Sequence, residues 1–144
     1  MSSKIRDAVK LKRAKWKGKR SELRQVKRME KMGWQMIRVP TSASGTTILP
    51  DLIGFHPERK ELIAVEWKAH TRYVYLNKNQ LEKCIKFLEM FKGLEELGVK
   101  LTPLIGCRFG TGRGTKTVWK TITPEILNLD IIRVDLNSES DWAP

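Results

Sequence analysis

Apolar residues recur along the chain at two different periods, and the switch between them divides the sequence into elements. From Ser21, Leu23, Val26, Met29 and Met32 follow at three-residue steps, with Ser21 placed as an N-cap and Gly33 as a stop. That pattern predicts a helix over about residues 21–32. Upstream, residues 3–16 can be drawn as a basic helix with Ile5, Val9, Lys12 and Trp16 on one face, but the apolar stripe is thin and Gly18 interrupts it. Trp34, Met36 and Val39 open a short strand, followed by TSASGTT, a run of small and hydroxyl residues that predicts a loop. Pro50 to Phe55 and ELIAVEWKA read as two strands joined by the turn HPERKE, and hence as an antiparallel hairpin. In the second of these strands Ile63, Val65 and Trp67 point to one face, and Ala64, Glu66 and Lys68 to the other.

Asn77 to Leu97 carries the longest helical signal, with Leu81, Cys84, Ile85, Leu88, Phe91 and Leu94 on one stripe and Gly93 as a point of bending or termination. Phe87 and Met90 lie off that stripe. They have two readings of equal weight, extra core filling or a subunit interface. Leu101–Phe109 and Thr115–Ile122 predict two further strands around the turn GTGRG, and the chain closes with a short helix or turn from Thr123 and a strand near residues 131–136. No internal repeat is seen. The order α, β, β, β, α, β, β predicts one α/β domain, a mixed β-sheet flanked by helices. The expected division is a basic N-terminal arm over residues 1–20, a folded domain over 21–136 and a tail over 137–144.

Composition narrows the class. With 144 residues, 40% hydrophobic and 31% charged, the chain is long enough for one self-sufficient core and too apolar for a disordered polyampholyte. No apolar run approaches the ~20 residues of a bilayer span. The formal charge is +12, and residues 1–31 hold thirteen Lys or Arg against three acids, so nearly all of the excess sits at one end. Such a concentration of base is either a solvated tail or a surface for a polyanion, nucleic acid first. Lys and Arg interrupt every candidate apolar core before residue 32, which argues against a signal peptide, and Asp7 argues against a transit sequence. The expected location is the cytoplasm, that of the host if a virus or phage encodes the chain. Cys84 and Cys107 are too far apart for a CxxC site and lie in apolar segments, so they are expected to be reduced, buried thiols.

The chemistry concentrates in Pro50-Asp51, fourteen intervening residues, and Glu66-Trp67-Lys68. The hairpin can bring Asp51 beside Glu66, and two carboxylates suffice for a hard divalent cation that keeps several waters and takes its other ligands from a substrate phosphate. Lys68, two residues on along the same strand face, can offset charge on a phosphate oxygen. The plain alternative is that Glu66 and Lys68 form the solvated face of a half-buried strand. His56 and His70 flank opposite ends of the hairpin and are expected at the surface without a catalytic role. FGTGRGTKT lacks the GKT or GKS ending of a phosphate loop and sits between strands, so a nucleotide site is not expected.

The set of motifs resembles the PD-(D/E)XK nuclease superfamily. It is similar in particular to the archaeal-type, Hjc-like Holliday junction resolvases, through KGKRSELR at 17–24, GWQMIRVPTSASG at 33–45, PDLIGF at 50–55 and IAVEWK at 63–68, with Tyr75 and Gln80 continuing it. The resemblance implies a restriction-endonuclease-like fold and a homodimer that cuts four-way DNA junctions with Mg²⁺, Mn²⁺ being an expected substitute, leaving 5′-phosphate and 3′-hydroxyl ends. By position it implies that Asp51 and Glu66 are metal-binding carboxylates, Lys68 the catalytic lysine, Glu22 the helix-borne acid with a catalytic, metal-binding role, and Ser42 the catalytic loop serine with Ser44 as the alternate. On physics alone Glu22, opening a helix, reads first as a partner of the helix dipole. The expected DNA contacts are Lys17, Lys19, Arg20, Arg24, Arg38, Arg72, Arg113 and Lys116. Leu23 stands where the family commonly carries Arg. The expected partners are branched DNA and a second copy, with no membrane and no small-molecule cofactor. Two other classes stay open: a less selective endonuclease of the same superfamily, and a non-catalytic nucleic-acid-binding protein, which explains the basic arm but not Asp51, Glu66 and Lys68.

Overall fold

Two apolar clusters lie on opposite faces of one five-stranded sheet, and a helix covers each. In the computed structural model, which describes residues 2–40, 49–111 and 114–144, the sheet contains β1 (Gln35–Arg38), β2 (Leu52–His56), β3 (Glu61–His70), β5 (Lys100–Thr111) and β6 (Gly114–Thr121) in that spatial order. All neighbours are antiparallel except β3 and β5, which run parallel over ten residue pairs. A parallel pair requires a crossover. Here it runs through β4 (Tyr73–Leu76) and α2 (Lys78–Glu89), and β4 pairs with β7 (Ile132–Asp135) as a separate two-stranded ribbon. Within the described residues this is the mixed α/β domain that the order of elements predicts.

The face covered by α1 (Ser3–Glu30) buries Met29, Ile63, Val65, Trp67, Leu104 and Trp119. The other face, under α2, buries Ala64, Leu81, Cys84, Leu88, Ile105, Cys107 and Val118, and the ribbon adds Val74, Leu76, Ile132 and Val134. The alternation expected for β3 is therefore present, with both faces buried around its centre. Gly106 allows the α1 side to close: a Cβ there would lie 2.7 Å from Trp67 and 2.8 Å from Trp119, whose rings meet across it at 5.7 Å.

Several elements differ from expectation. α1 is one unbroken helix capped at Ser2, not two segments divided at Gly18 with a cap at Ser21. One glycine costs a helix only about 1 kcal/mol, and Gly18 meets no neighbour that would force a break. Of the expected stripe only Val26 and Met29 face the core, while Leu23 is 41% and Met32 46% exposed. At 100° per residue, positions nine apart lie on opposite faces, so a repeat of three cannot be one face. α2 ends at Glu89, earlier than Gly93, and a 3-10 turn (Lys92–Leu97) follows. Phe87 is buried in the α2 core and so is not available as an interface residue, whereas Met90 is 69% exposed. His56 is also buried, not superficial: its Nε2 lies 3.0 Å from the Met32 carbonyl and its Nδ1 accepts from Arg59 N–H. β4 has no counterpart among the elements that the sequence pattern predicts. α3 (Pro124–Leu127) is the short helix expected after Thr123. No described helix is long and apolar enough to cross a membrane.

Candidate active site

Asp51 sits at the bend immediately before β2, behind Pro50, which is fully buried. Among the described residues, three hydrogen bonds to the backbone hold it. Its N–H donates to the Val65 carbonyl at 3.0 Å, its carbonyl accepts from Val39 N–H at 2.9 Å, and its Oδ2 accepts from Trp67 N–H at 2.9 Å. The backbone is thus tied to β1 on one side and β3 on the other, and the carboxylate is anchored next to Glu66. The β2–β3 register, Leu52 opposite Val65, produces this juxtaposition from residues fifteen apart in sequence.

Glu66 is 5% exposed, and Lys68 Nζ lies 3.2 Å from its Oε1. Burial pushes the Glu66 carboxyl up to about 7, with the Asp51 charge and a hydrogen bond shared with Asp51 acting in the same direction and the Lys68 ammonium against them. Two carboxylates crowded out of water beside one ammonium leave the pair anion-rich, which is the environment that a divalent cation relieves. Oxygen donors in that number fit a hard cation keeping several waters.

Glu22 approaches from α1. Burial raises its pKa first, then the charge of Asp51, while Arg38 on β1 and Lys68 lower it. Arg38 Nε donates to its Oε2 at 2.6 Å, both side chains being largely buried. The structure brings Glu22, Asp51, Glu66 and Lys68 into one electrostatic neighbourhood, but Glu22 is held by Arg38, and among the described residues no three His, Cys, Asp or Glu side chains converge at ligand distance. Ser42, its alternate Ser44 and Arg113 lie outside the described residues. Cys84 and Cys107 are free thiols buried beneath Glu66; burial raises both, Cys107 to about 12, so they stay protonated.

The expected DNA contacts separate into groups. Lys17, Arg20 and Arg24 lie along one side of α1 and line a common cavity. Lys19 reaches over the Trp16 ring, 5.8 Å from its centroid. Arg38 is engaged by Glu22. Arg72 is exposed beside the ribbon, and Lys116 Nζ donates to the Leu136 carbonyl at 2.8 Å, tying β6 to the C-terminal segment. Sequence reasoning missed three features: the Arg38–Glu22 pair, the hydrogen bond from Trp67 Nε1 to Ser21 Oγ at 2.9 Å that fixes α1 against β3, and Arg108. Of these only Arg108 has a local signal, a cation within the otherwise apolar run PLIGCRF at 103–109.

Comparison with known proteins gives a consistent picture. A family model described as archaeal Holliday junction resolvase (Hjc) matches residues 13–126. A crossover junction endodeoxyribonuclease of Sulfolobus islandicus rod-shaped virus 1 is 34% identical over 79 residues, 54% of this chain; the match spans 64% of the viral protein, just under two thirds of its length. The crossover junction endodeoxyribonuclease Hje of Saccharolobus solfataricus is 30% identical over 121 residues, covering 82% of this chain and 79% of that protein. The solved structure of an Archaeoglobus fulgidus Holliday junction resolvase, Hjc, aligns with a TM-score of 0.58 over 81% of this chain and 85% of that one; at 18% identity this is a likeness of fold.

Proposed function

This chain belongs to the archaeal Holliday junction resolvase family, and from that membership we propose that it is a structure-selective endodeoxyribonuclease that makes paired nicks in four-way DNA junctions by divalent-cation-dependent phosphodiester hydrolysis. The observation that carries the reading is the clamped Asp51, whose carboxylate converges on Glu66 while Lys68 stands 3.2 Å from Glu66. Asp51 and Glu66 hold the cation, Mg²⁺ with Mn²⁺ as substitute. When bound, the cation supplies Lewis-acid activation of a water molecule and neutralises phosphate charge.

The chain's own residues do the rest. Asp51 is oriented by the Trp67 N–H, which holds its carboxylate beside Glu66. Glu66 reaches the anionic form once a positive charge offsets its burial. Lys68 aligns a non-bridging phosphate oxygen and offsets the charge that develops in the transition state. Glu22, positioned by Arg38, adds negative potential at the mouth and supports the cation from outside its immediate ligands. Ser42 is assigned to the same site, with Ser44 as alternate. Residues 1–20 act as a basic arm on DNA, continuous with the domain over 21–136, and 137–144 form the tail.

Two matched cuts need two sites related by the substrate's own twofold symmetry, so the active species is a homodimer. Met90 and Phe91, the exposed apolar residues after α2, belong to its interface. The protein works in the cytoplasm, that of the host if a virus encodes it.

The test is incubation of labelled four-way, flap and linear DNA with and without Mg²⁺, using wild type, Asp51→Asn and Lys68→Ala. Wild type is expected to cut the four-way junction in preference to the others and only with the cation. Lys68→Ala should bind the junction while cleaving at least ~10²-fold more slowly, the scale of losing one transition-state donor. Equal cutting of linear duplex would select a less selective nuclease, and binding without any cutting a non-catalytic DNA-binding protein.

A further inference from the structure

A cavity of about 520 Å³ opens between α1 and the ends of β3, β5 and β6, and its walls include Lys17, Arg20, Arg24, His70, Arg108 and Thr115. Among the described residues no carboxylate lines it. Alternation along β5, where Leu104 belongs to the α1-side core, puts Arg108 on that face of the sheet, opposite to Glu66 and Lys68. Gly110, in β5 opposite Thr115 of β6, has a φ of 114° and no room for a Cβ against the Gly114 carbonyl, so β6 runs close alongside the end of β5. Two threonines then fix the guanidinium: Nη1 donates to Thr117 Oγ1 at 3.0 Å and Nη2 to Thr115 Oγ1 at 2.5 Å. Both partners are neutral, so they orient the charge without cancelling it.

A second unneutralised arginine lies beside it. Arg28, one turn beyond Arg24 on α1, donates Nε to Gln25 Oε1 at 2.9 Å, but its Nη2 is buried with no hydrogen-bond partner among the described residues. Burial, then the charges of Arg108 and Arg24, push its pKa down. Among the described residues none of Lys17, Arg20, Arg24, Arg28 and Arg108 forms an ion pair. A folded chain rarely gathers three guanidiniums and leaves them without a counter-charge, because mutual repulsion and an unsatisfied donor both oppose folding. What the cluster lacks is an anion with several oxygens, and arginine forks match a phosphate.

We propose that this cavity seats a backbone phosphate of the DNA and thereby sets the path of the strand on the α1 side of the sheet. The inference rests on the reading of the protein as a DNA-cleaving enzyme. A strand phosphate suits it better than a free one because the cavity is open and continuous with a basic stripe. Lys17, Arg20 and Arg24 follow at three- and four-residue steps, a row of charges along one line. Ser21 also lines the cavity, and the adjacent Glu22 faces the carboxylates, so one turn of α1 links the seated phosphate to the cutting site. Arg108, Arg24 and Arg28 are on this account positioning residues.

The experiment measures binding of the full chain to a fluorescent linear duplex and to a four-way junction by anisotropy, without divalent cation, across about 50 to 200 mM salt. Arg108→Ala is expected to weaken binding about tenfold and to reduce the slope of log K against log salt by about 0.9 for each phosphate no longer neutralised. Arg108→Lys should restore the slope. Lys92→Gln, in the 3-10 turn after α2, removes the same charge elsewhere and should leave the slope unchanged. If Arg108→Ala fails to fold, Arg24→Gln, on an exposed turn of the helix, gives the same reading. An unchanged slope in Arg108→Ala, or an equal change in Lys92→Gln, would overturn the proposal. So would a melting temperature that rises with inorganic phosphate in wild type alone while DNA binding stays the same, since that assigns the cavity to a free anion. A wild-type protein that binds duplex with the expected slope but cleaves no junction counts against the resolvase reading alone.

Discussion

Replacing Arg38 by Met removes the partner that holds Glu22 while keeping the length and apolar stem of the side chain. The pair is 2.6 Å long and its side chains are 14% and 8% exposed, so it is buried rather than superficial. Removing one member of a buried pair typically costs 3–5 kcal/mol, because the other charge is left without a partner in low dielectric. Two features place this case at the low end, about 3 kcal/mol: Lys68 still attracts Glu22, and the carboxyl can escape by taking a proton. That escape makes the cost depend on pH. Burial and Asp51 already hold the Glu22 pKa above 4.5, and loss of Arg38 raises it further. A carboxyl with a raised folded pKa binds more protons folded than unfolded, so stability falls as pH rises through that range. The penalty of Arg38→Met should therefore be full near neutrality and shrink below the ordinary carboxylate range, where Glu22 is protonated in both states. Urea unfolding at pH 8 and pH 4 without divalent cation measures it, and the double-mutant cycle with Glu22→Gln isolates the pair. A loss below 1 kcal/mol, one independent of pH, or one equally large in the Glu22→Gln background would refute the reasoning.

Trp142 packs on Trp34 and Trp119 and donates Nε1 to the buried Glu61 at 3.1 Å, so Trp142→Ala should cost about 3 kcal/mol in urea unfolding although it lies close to Pro144 at the end of the chain. A loss under 1 kcal/mol would show that the tail is not part of the core. For the metal-free protein, Glu66, raised from 4.5 to about 7, should make melting temperature fall as pH rises across that interval. Asp51→Asn, which removes a crowding negative charge, should melt higher than wild type at pH 8 while losing cleavage; a lower melting temperature would contradict the electrostatic account. Light scattering of wild type at micromolar concentration should give twice 16.7 kDa, and Met90→Asp a monomer; a monomeric wild type would remove the proposed dimer.

Much of this molecule is legible without coordinates because its governing periods are local. The alternation of ELIAVEWKA specifies which side chains of β3 face α1 and which face α2, and the apolar run of Leu81, Cys84 and Leu88 marks the core side of α2. The ribbon strand β4 escaped because four residues, YVYL, are too few for a period to declare itself before the partner β7 arrives from far along the sequence. Phe87 was ambiguous for a related reason: a helix under a sheet buries a wider face than one stripe, and only the sheet decides how wide.

At the site, the acids and the lysine were legible as residue types at a hairpin spacing, and Asp51, Glu66 and Lys68 do meet. Their strengths were not legible. The rise of Glu66 comes first from its burial, Glu22 is governed by Arg38 sixteen residues away, and Arg28 and Arg108, eighty positions apart, come near each other only where α1 packs on the sheet. Periodicity, charge bias and motif spacing are properties of neighbours along the chain, so the amino-acid order alone carries them. Desolvation and the pairing or crowding of charges depend on distances through space, and those exist only once β3 and β5 lie side by side with α1 closed over them.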